Sequence, residues 1–157
     1  MTSLCLLQKA DLSIYYEAEM YQHDPDWPVR TGVSKEYFIE KLKHHPSIGF
    51  SWDGIEFGGA LFDGKEAHLA VLPAYQGKWA WLIKPALEWL LSLQETIDVR
   101  VARTNPKCIR FCDHNHLPRV SEDEHHVVFR VCNHPGLYFN RRERNRKRRE
   151  GQLEAVV

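Results

Sequence analysis

Residues 69–89 read LAVLPAYQGKWAWLIKPALEW, and the way this stretch divides decides the fold. His68 to Leu72 is short and β-compatible, and Pro73, with no N–H and a fixed φ, ends it as a central strand. Gln76-Gly77-Lys78 supplies a turn. Trp79, Leu82, Ile83, Ala86, Leu87 and Leu90 then recur at three- and four-residue steps, so a helix with one buried stripe is expected from Trp79 onward. A strand, a tight turn and a helix in this order aim backbone N–H groups outward, with the positive end of a helix dipole behind them. Such a turn can hold a phosphate without any charged side chain.

Upstream, three β-like runs, Ser47 to Trp52, Ile55 to Phe62 and Lys65 to Leu72, are separated by Asp53-Gly54 and Asp63-Gly64. Asp-Gly between alternating runs is the strongest short-range hairpin signal, so a three-stranded antiparallel meander is expected. Before it, Ser3 to Gln8 reads as a first strand. Asp11 reads as the cap of a helix carrying Ile14, Tyr15, Ala18 and Tyr21. His23 to Gly32, with two prolines and Trp27, reads as a loop. Ser34 caps a second helix, residues 34–45, with Phe38, Ile39 and Leu42 as its apolar stripe. Downstream, Ile97 to Arg103 alternates as a fifth strand. Pro106 suits the first turn of a helix over Lys107 to Asn115. Glu124 to Val131 reads as a strand paired with a short run at Arg119 to Ser121.

The motif at Val71, Pro73, Gln76, Gly77 and Lys78 resembles the acyl-CoA loop of the GNAT (Gcn5-related N-acetyltransferase) superfamily, V-x-P-x-x-(Gln/Arg)-G-x-G/A-x-G/A. The chain departs from it at Trp79 and Trp81, where that family has glycine or alanine, and in Lys84-Pro85. The element order β-α-α-β-β-β-α-β-α-β over residues 3–133 is also that family's. The resemblance implies an α/β (α+β) GNAT-like fold, with a mixed central sheet of about six to seven strands flanked by about four helices. It implies acetyl-CoA as cofactor, bound by Val71, Leu72, Gln76, Gly77, Lys78, Trp79, Ala80 and Asn105, with an amine as acceptor. Asn105, Cys108, Phe111 and Cys112 resemble the family's second signature. There Cys112 falls at the tyrosine that protonates the leaving thiolate, and His116 falls where glycine is expected.

Acyl transfer to an amine needs a proton acceptor for the amine and an acid for the thiolate. Glu66 and His68 alternate on strand four and so share a face; either could act as base through water, and Cys112 could act as acid. The competing roles are a solvated turn residue for Glu66, a half-buried sheet histidine for His68 and buried packing for Cys112. Cys108, Cys112, His114, His116, Cys132 and His134 lie close in sequence but match no common zinc module, so no metal is expected.

The chain has 157 residues and zero formal net charge, which suits one GNAT-like domain over residues 1–138. Seven of the 21 basic and three of the 21 acidic residues follow Asn140, leaving −4 on the body and +4 on the tail. Residues 139–157 are expected as a basic tail, helical or disordered. Its Arg141, Arg142, Arg144, Arg146, Lys147, Arg148 and Arg149 could contact a protein or a nucleic acid through phosphates, with strong salt dependence. Four cysteines without a secretory leader suit a cytoplasmic protein, and no segment is apolar enough to cross a membrane. Two readings follow: an N-acyltransferase acting on an amine, or a GNAT-like fold without catalysis serving in assembly. The second resembles internal virion or head-assembly proteins of tailed bacteriophages, in host cytoplasm or virion.

Overall fold

The computed structural model describes residues 3–21 and 31–132. Chain contacts divide it into two units, Met1–Leu93 and Gln94–Val157. In the first unit β1 (Leu4–Leu7), β2 (Ser47–Trp52), β3 (Ile55–Phe62) and β4 (Ala67–Val71) form an antiparallel sheet in that order. The β2–β3 turn is Asp53-Gly54, with φ of 50° and 83°. Two successive positive φ values are what a two-residue type I′ hairpin requires. The β3–β4 turn is organised by Asp63, whose Oδ1 accepts the N–H groups of Lys65 at 2.8 Å and Glu66 at 2.7 Å.

The sheet separates two apolar clusters. On one face Ile48, Phe50, Phe57, Ala60 and Val71 pack with Leu82 and Ala86. On the other, Leu61 and Ala70 pack with Leu12, Tyr15 and Ala18 of α1 (Leu12–Met20), with Phe38, Ile39 and Leu42 of α2 (Lys35–Leu42) against them. Both helices start where their caps dictate. Asp11 accepts from the N–H groups of Ser13 and Ile14, and Ser34 from Tyr37, satisfying amides that have no partner inside the helix. Gly59 keeps the sheet closely packed, since a Cβ there would run into the Ile48 carbonyl oxygen.

After β4 the structure departs from the expected helix at Trp79. A 3-10 turn spans Pro73–Tyr75, a second spans Ala80–Leu82, and the α-helix proper, α3, runs from Ile83 to Leu93. Pro85 is the physical reason. In a helix begun at Trp79 it would lie in the interior and delete the bond to the Trp81 carbonyl; in α3 it falls in the first turn, where no such bond is needed. The buried stripe expected from the spacing is present, at Leu82, Ala86 and Leu90.

The second unit holds β5 (Thr96–Ala102), α4 (Pro106–His114), β6 (Arg119–Glu122) and β7 (His126–Cys132), with an antiparallel sheet in the order β5-β7-β6. Asp98 and Arg130 face each other across β5 and β7 and are joined at 2.8 Å. Ile97, Val101, Cys112, Leu117, Val127, Val128, Phe129 and Val131 are its buried apolar residues. Seven strands and four helices are thus described, hydrogen-bonded as two antiparallel sheets. His116, just after α4, has a φ of 58°, a left-handed conformation that glycine adopts freely and other residues adopt at a cost.

Candidate functional site

The β4–α3 turn is held by its own backbone. Tyr75 N–H donates to the Leu72 carbonyl, Gln76 to Pro73, Lys78 to Tyr75 and Leu82 to Trp79; the amides of Gly77, Ala80 and Trp81 take part in none of these bonds. Gly77 has a φ of 77°, so this position suits glycine. Of the last two β4-side residues, Leu72 donates its N–H to Phe57 at 2.9 Å. The alternation of the ladder then turns the backbone groups of Val71, opposite Gly58, toward the outer edge of this sheet. The two tryptophans behave oppositely. Trp79 is half-buried and stacks on Phe50, with centroids 5.3 Å apart and planes at 20°. Trp81 is 86 % exposed. Gln76, Gly77, Lys78 and Ala80 are all exposed.

At the other end of β4, His68 Nε2 lies 2.8 Å from Asp63 Oδ2. Burial raises the Asp63 carboxyl, but the N–H groups of Glu66 and Lys65 and the His68 imidazole outweigh it and hold the group below its ordinary value. A carboxylate of this kind fixes the orientation of the ring. Both residues line a cavity of about 550 Å³ between α1, α2 and the β3–β4 hairpin, with Tyr15 and Leu61 also on it. Glu66, half-buried, is not on its lining. The carboxylate brought to His68 is therefore Asp63, a residue whose sequence context marks only a turn. The signal was available: a side chain just before a tight hairpin returns beside the partner strand.

In the second unit, Asn105 caps α4, its Oδ1 accepting the Cys108 N–H at 3.2 Å. Cys112 is 3 % exposed. Its hydrogen bond to Cys108, then burial, push its thiol far above the ordinary cysteine value, so it holds its proton at neutral pH. Cys108 and Cys112 meet one turn apart on this helix, and among the described residues no three His, Cys, Asp or Glu side chains gather as metal ligands. No described helix is long and apolar enough to cross a membrane. Trp27 and the basic residues from Arg141 to Arg149 lie outside the described residues.

No family model and no curated protein matches the chain. Solved structures do. It is similar to PH1933 from Pyrococcus horikoshii OT3, at TM-score 0.65 and 15% identity over 85% of this chain and 99% of that one. It is similar to the PaiA N-acetyltransferase of Thermoplasma acidophilum, solved with coenzyme A, at 0.61 and 16% over 83% and 99%. The Campylobacter jejuni N-acetyltransferase PseH, solved with acetyl coenzyme A, matches at 0.58 and 14% over 85% and 100%. The chain has the GNAT-like α/β fold of these proteins.

Proposed function

We propose that this protein is an acyl-CoA-dependent N-acyltransferase, using acetyl-CoA and a small amine. The observation that carries the reading is the β4–α3 turn, where Gly77 is left-handed and the amides of Gly77, Ala80 and Trp81 stay outside the turn's own hydrogen bonds. The residues fit the cofactor, because the Trp79 indole, which stands where the family has a small residue, is stacked on Phe50. Gln76, Gly77, Lys78, Trp79 and Ala80 would hold the pyrophosphate, and Val71 and Leu72 the pantetheine arm. Similarity of fold to proteins solved with coenzyme A and acetyl coenzyme A supports this use of the turn.

When bound, acetyl-CoA supplies an activated thioester whose acyl carbon forms the new C–N bond as its C–S bond breaks. The chain's part is proton handling. His68, oriented by Asp63, takes the proton that the amine nitrogen loses, and the Asp63 carboxylate steadies the resulting imidazolium. The Cys112 thiol, raised far above the ordinary cysteine value, is too weak an acid to protonate a departing thiolate, which leaves as the anion.

The test is calorimetric titration with acetyl-CoA and, as a non-reactive control, desulfo-CoA, followed by an amine-acceptor screen. Saturable micromolar binding of both supports the reading, and a folded sample that binds neither refutes it. A second reading, a GNAT-like fold serving as an assembly or interaction protein, is favoured by the exposure of Trp81 at a position where the cofactor loop has a small residue. Under that reading the tail from Arg141 to Arg149 carries the partner, and deleting residues 141–157 abolishes a salt-sensitive interaction.

A further inference from the structure

The cavity between α1, α2 and the β3–β4 hairpin contains a group that the proton-handling scheme does not use. Tyr15 is 1% exposed and lines the cavity, and its hydroxyl has no hydrogen-bond partner among the described residues. A buried hydroxyl left unpaired is costly. Such a group on a cavity wall therefore points to a ligand atom that completes it. Glu19 and Asp63 also line the cavity, and both charges act on this phenol: burial first, then Glu19, then Asp63, raise the Tyr15 hydroxyl well above its usual value. The deep end of the cavity is thus negative as well as polar. Phe38, Leu42 and Leu61 line it with apolar surface. At its margin stand Lys41 and Lys65, both exposed.

We infer that this cavity binds a small monoamine in its ammonium form, with an apolar or aromatic body. This inference rests on the acyltransferase reading, for which it names the class of acceptor. An ammonium carries three donors and no acceptor. Asp63 and Glu19 supply the countercharge and the Tyr15 oxygen accepts the remaining proton. The apolar lining takes the body of the ligand, and about 550 Å³ lies within the roughly 300–1,000 Å³ usual for small-molecule sites. The lysines disfavour a second cationic centre on the outward end of the ligand, so a diamine is the poorer fit. Asp63 then has two roles: it attracts the ammonium and it orients His68, which deprotonates that same nitrogen before transfer.

The experiment is calorimetric titration of the full chain, in the absence of any CoA compound, with phenethylamine, 2-phenylethanol and 1,4-diaminobutane. Phenethylamine is expected to bind saturably, with the alcohol weaker by about tenfold or more, the loss that follows removal of a charge-assisted contact. Glu19→Gln and Asp63→Asn are expected to weaken phenethylamine by a similar factor, Tyr15→Phe by a smaller one, and Lys41→Glu to improve the diamine. Equal binding of amine and alcohol, or tighter binding of the diamine to the unaltered chain, overturns the inference; so does no saturable amine binding by a folded sample. Amine binding without acetyl transfer keeps the cavity assignment and removes the acyltransferase reading. Acetyl transfer to phenethylamine with KM unchanged in Glu19→Gln and Tyr15→Phe keeps the acyltransferase and removes the cavity assignment.

Discussion

Replacing Trp79 and Trp81 one at a time tests the reading of the β4–α3 turn most directly. The two residues are separated by one alanine, share a side chain and both depart from the small residues of the cofactor loop, yet the structure gives them opposite surroundings. Trp79 is half-buried, stacked on Phe50 and packed against the cluster of Ile48, Phe57 and Leu82. A fully buried Trp or Phe cut to Ala costs about 3–5 kcal/mol. Roughly half of that applies to a half-buried indole, and the ring pair adds about 1 kcal/mol. Trp79→Ala should therefore cost about 2–4 kcal/mol. At roughly 2–4 °C per kcal/mol for a chain of this size, the melting temperature falls by about 4–16 °C. Trp81, 86 % exposed, should change stability by no more than about 0.5 kcal/mol on replacement by Ala. Urea unfolding followed by far-ultraviolet circular dichroism gives both values without relying on the fluorescence of the residues removed. Equal losses for the two variants, or a loss below about 1 kcal/mol for Trp79→Ala, would refute the assignment of Trp79 to the core and of Trp81 to the surface.

Gly59→Ala should destabilise by about 1–3 kcal/mol, because the added Cβ meets the Ile48 carbonyl oxygen and backbone in a sheet interior moves little; denaturant midpoints measure it. His116→Gly should be neutral or stabilise by up to about 1 kcal/mol, since the left-handed φ of 58° carries no penalty for glycine; the same midpoints decide it, and a clear loss would refute it. Timed alkylation of the folded chain, read by mass spectrometry, should label the exposed Cys5 early and the buried Cys112, with its raised thiol, last. The folded Asp63 carboxyl lies below its ordinary value, so folding favours its ionised form. That contribution is full above about pH 4 and is lost as pH falls through the depressed value. Asp63→Asn should flatten the acid limb of the stability profile, and an unchanged limb would remove the pairing with His68.

Much of this fold is legible in the residues because the signals are local. Asp53-Gly54 needs two positive φ values, and both occur. Asp11, Ser34 and Pro106 mark helix starts that the structure keeps. Spacing alone puts the start of α3 at Trp79, because apolar spacing continues across the 3-10 turn into the helix, while Pro85, which sets the boundary, stands six residues further on. The site was less legible for a different reason. Glu66 and His68 share a strand face by alternation, but the carboxylate that reaches His68 comes from Asp63, across the hairpin, where the turn geometry and not the strand period decides the contact. Tyr15 reads as one more apolar position of a helix stripe, and nothing in its spacing reveals that its hydroxyl ends without a partner on a cavity wall.

Pro85 also fixes where the boundary between helix and turn can lie along the chain. With an ordinary residue at that position, one more backbone bond becomes available to the Trp81 carbonyl. Each further residue that winds up then adds another bond at little extra entropy, because the nucleus already exists. The helix could then lengthen backward, and the amides of Ala80 and Trp81 would become interior donors to the carbonyls of Gln76 and Gly77. Proline removes the first step of that extension. The turn stays short of helical because the neighbouring element has been denied the means to annex it, and its exposed amides are kept by a missing hydrogen atom six residues downstream of Trp79.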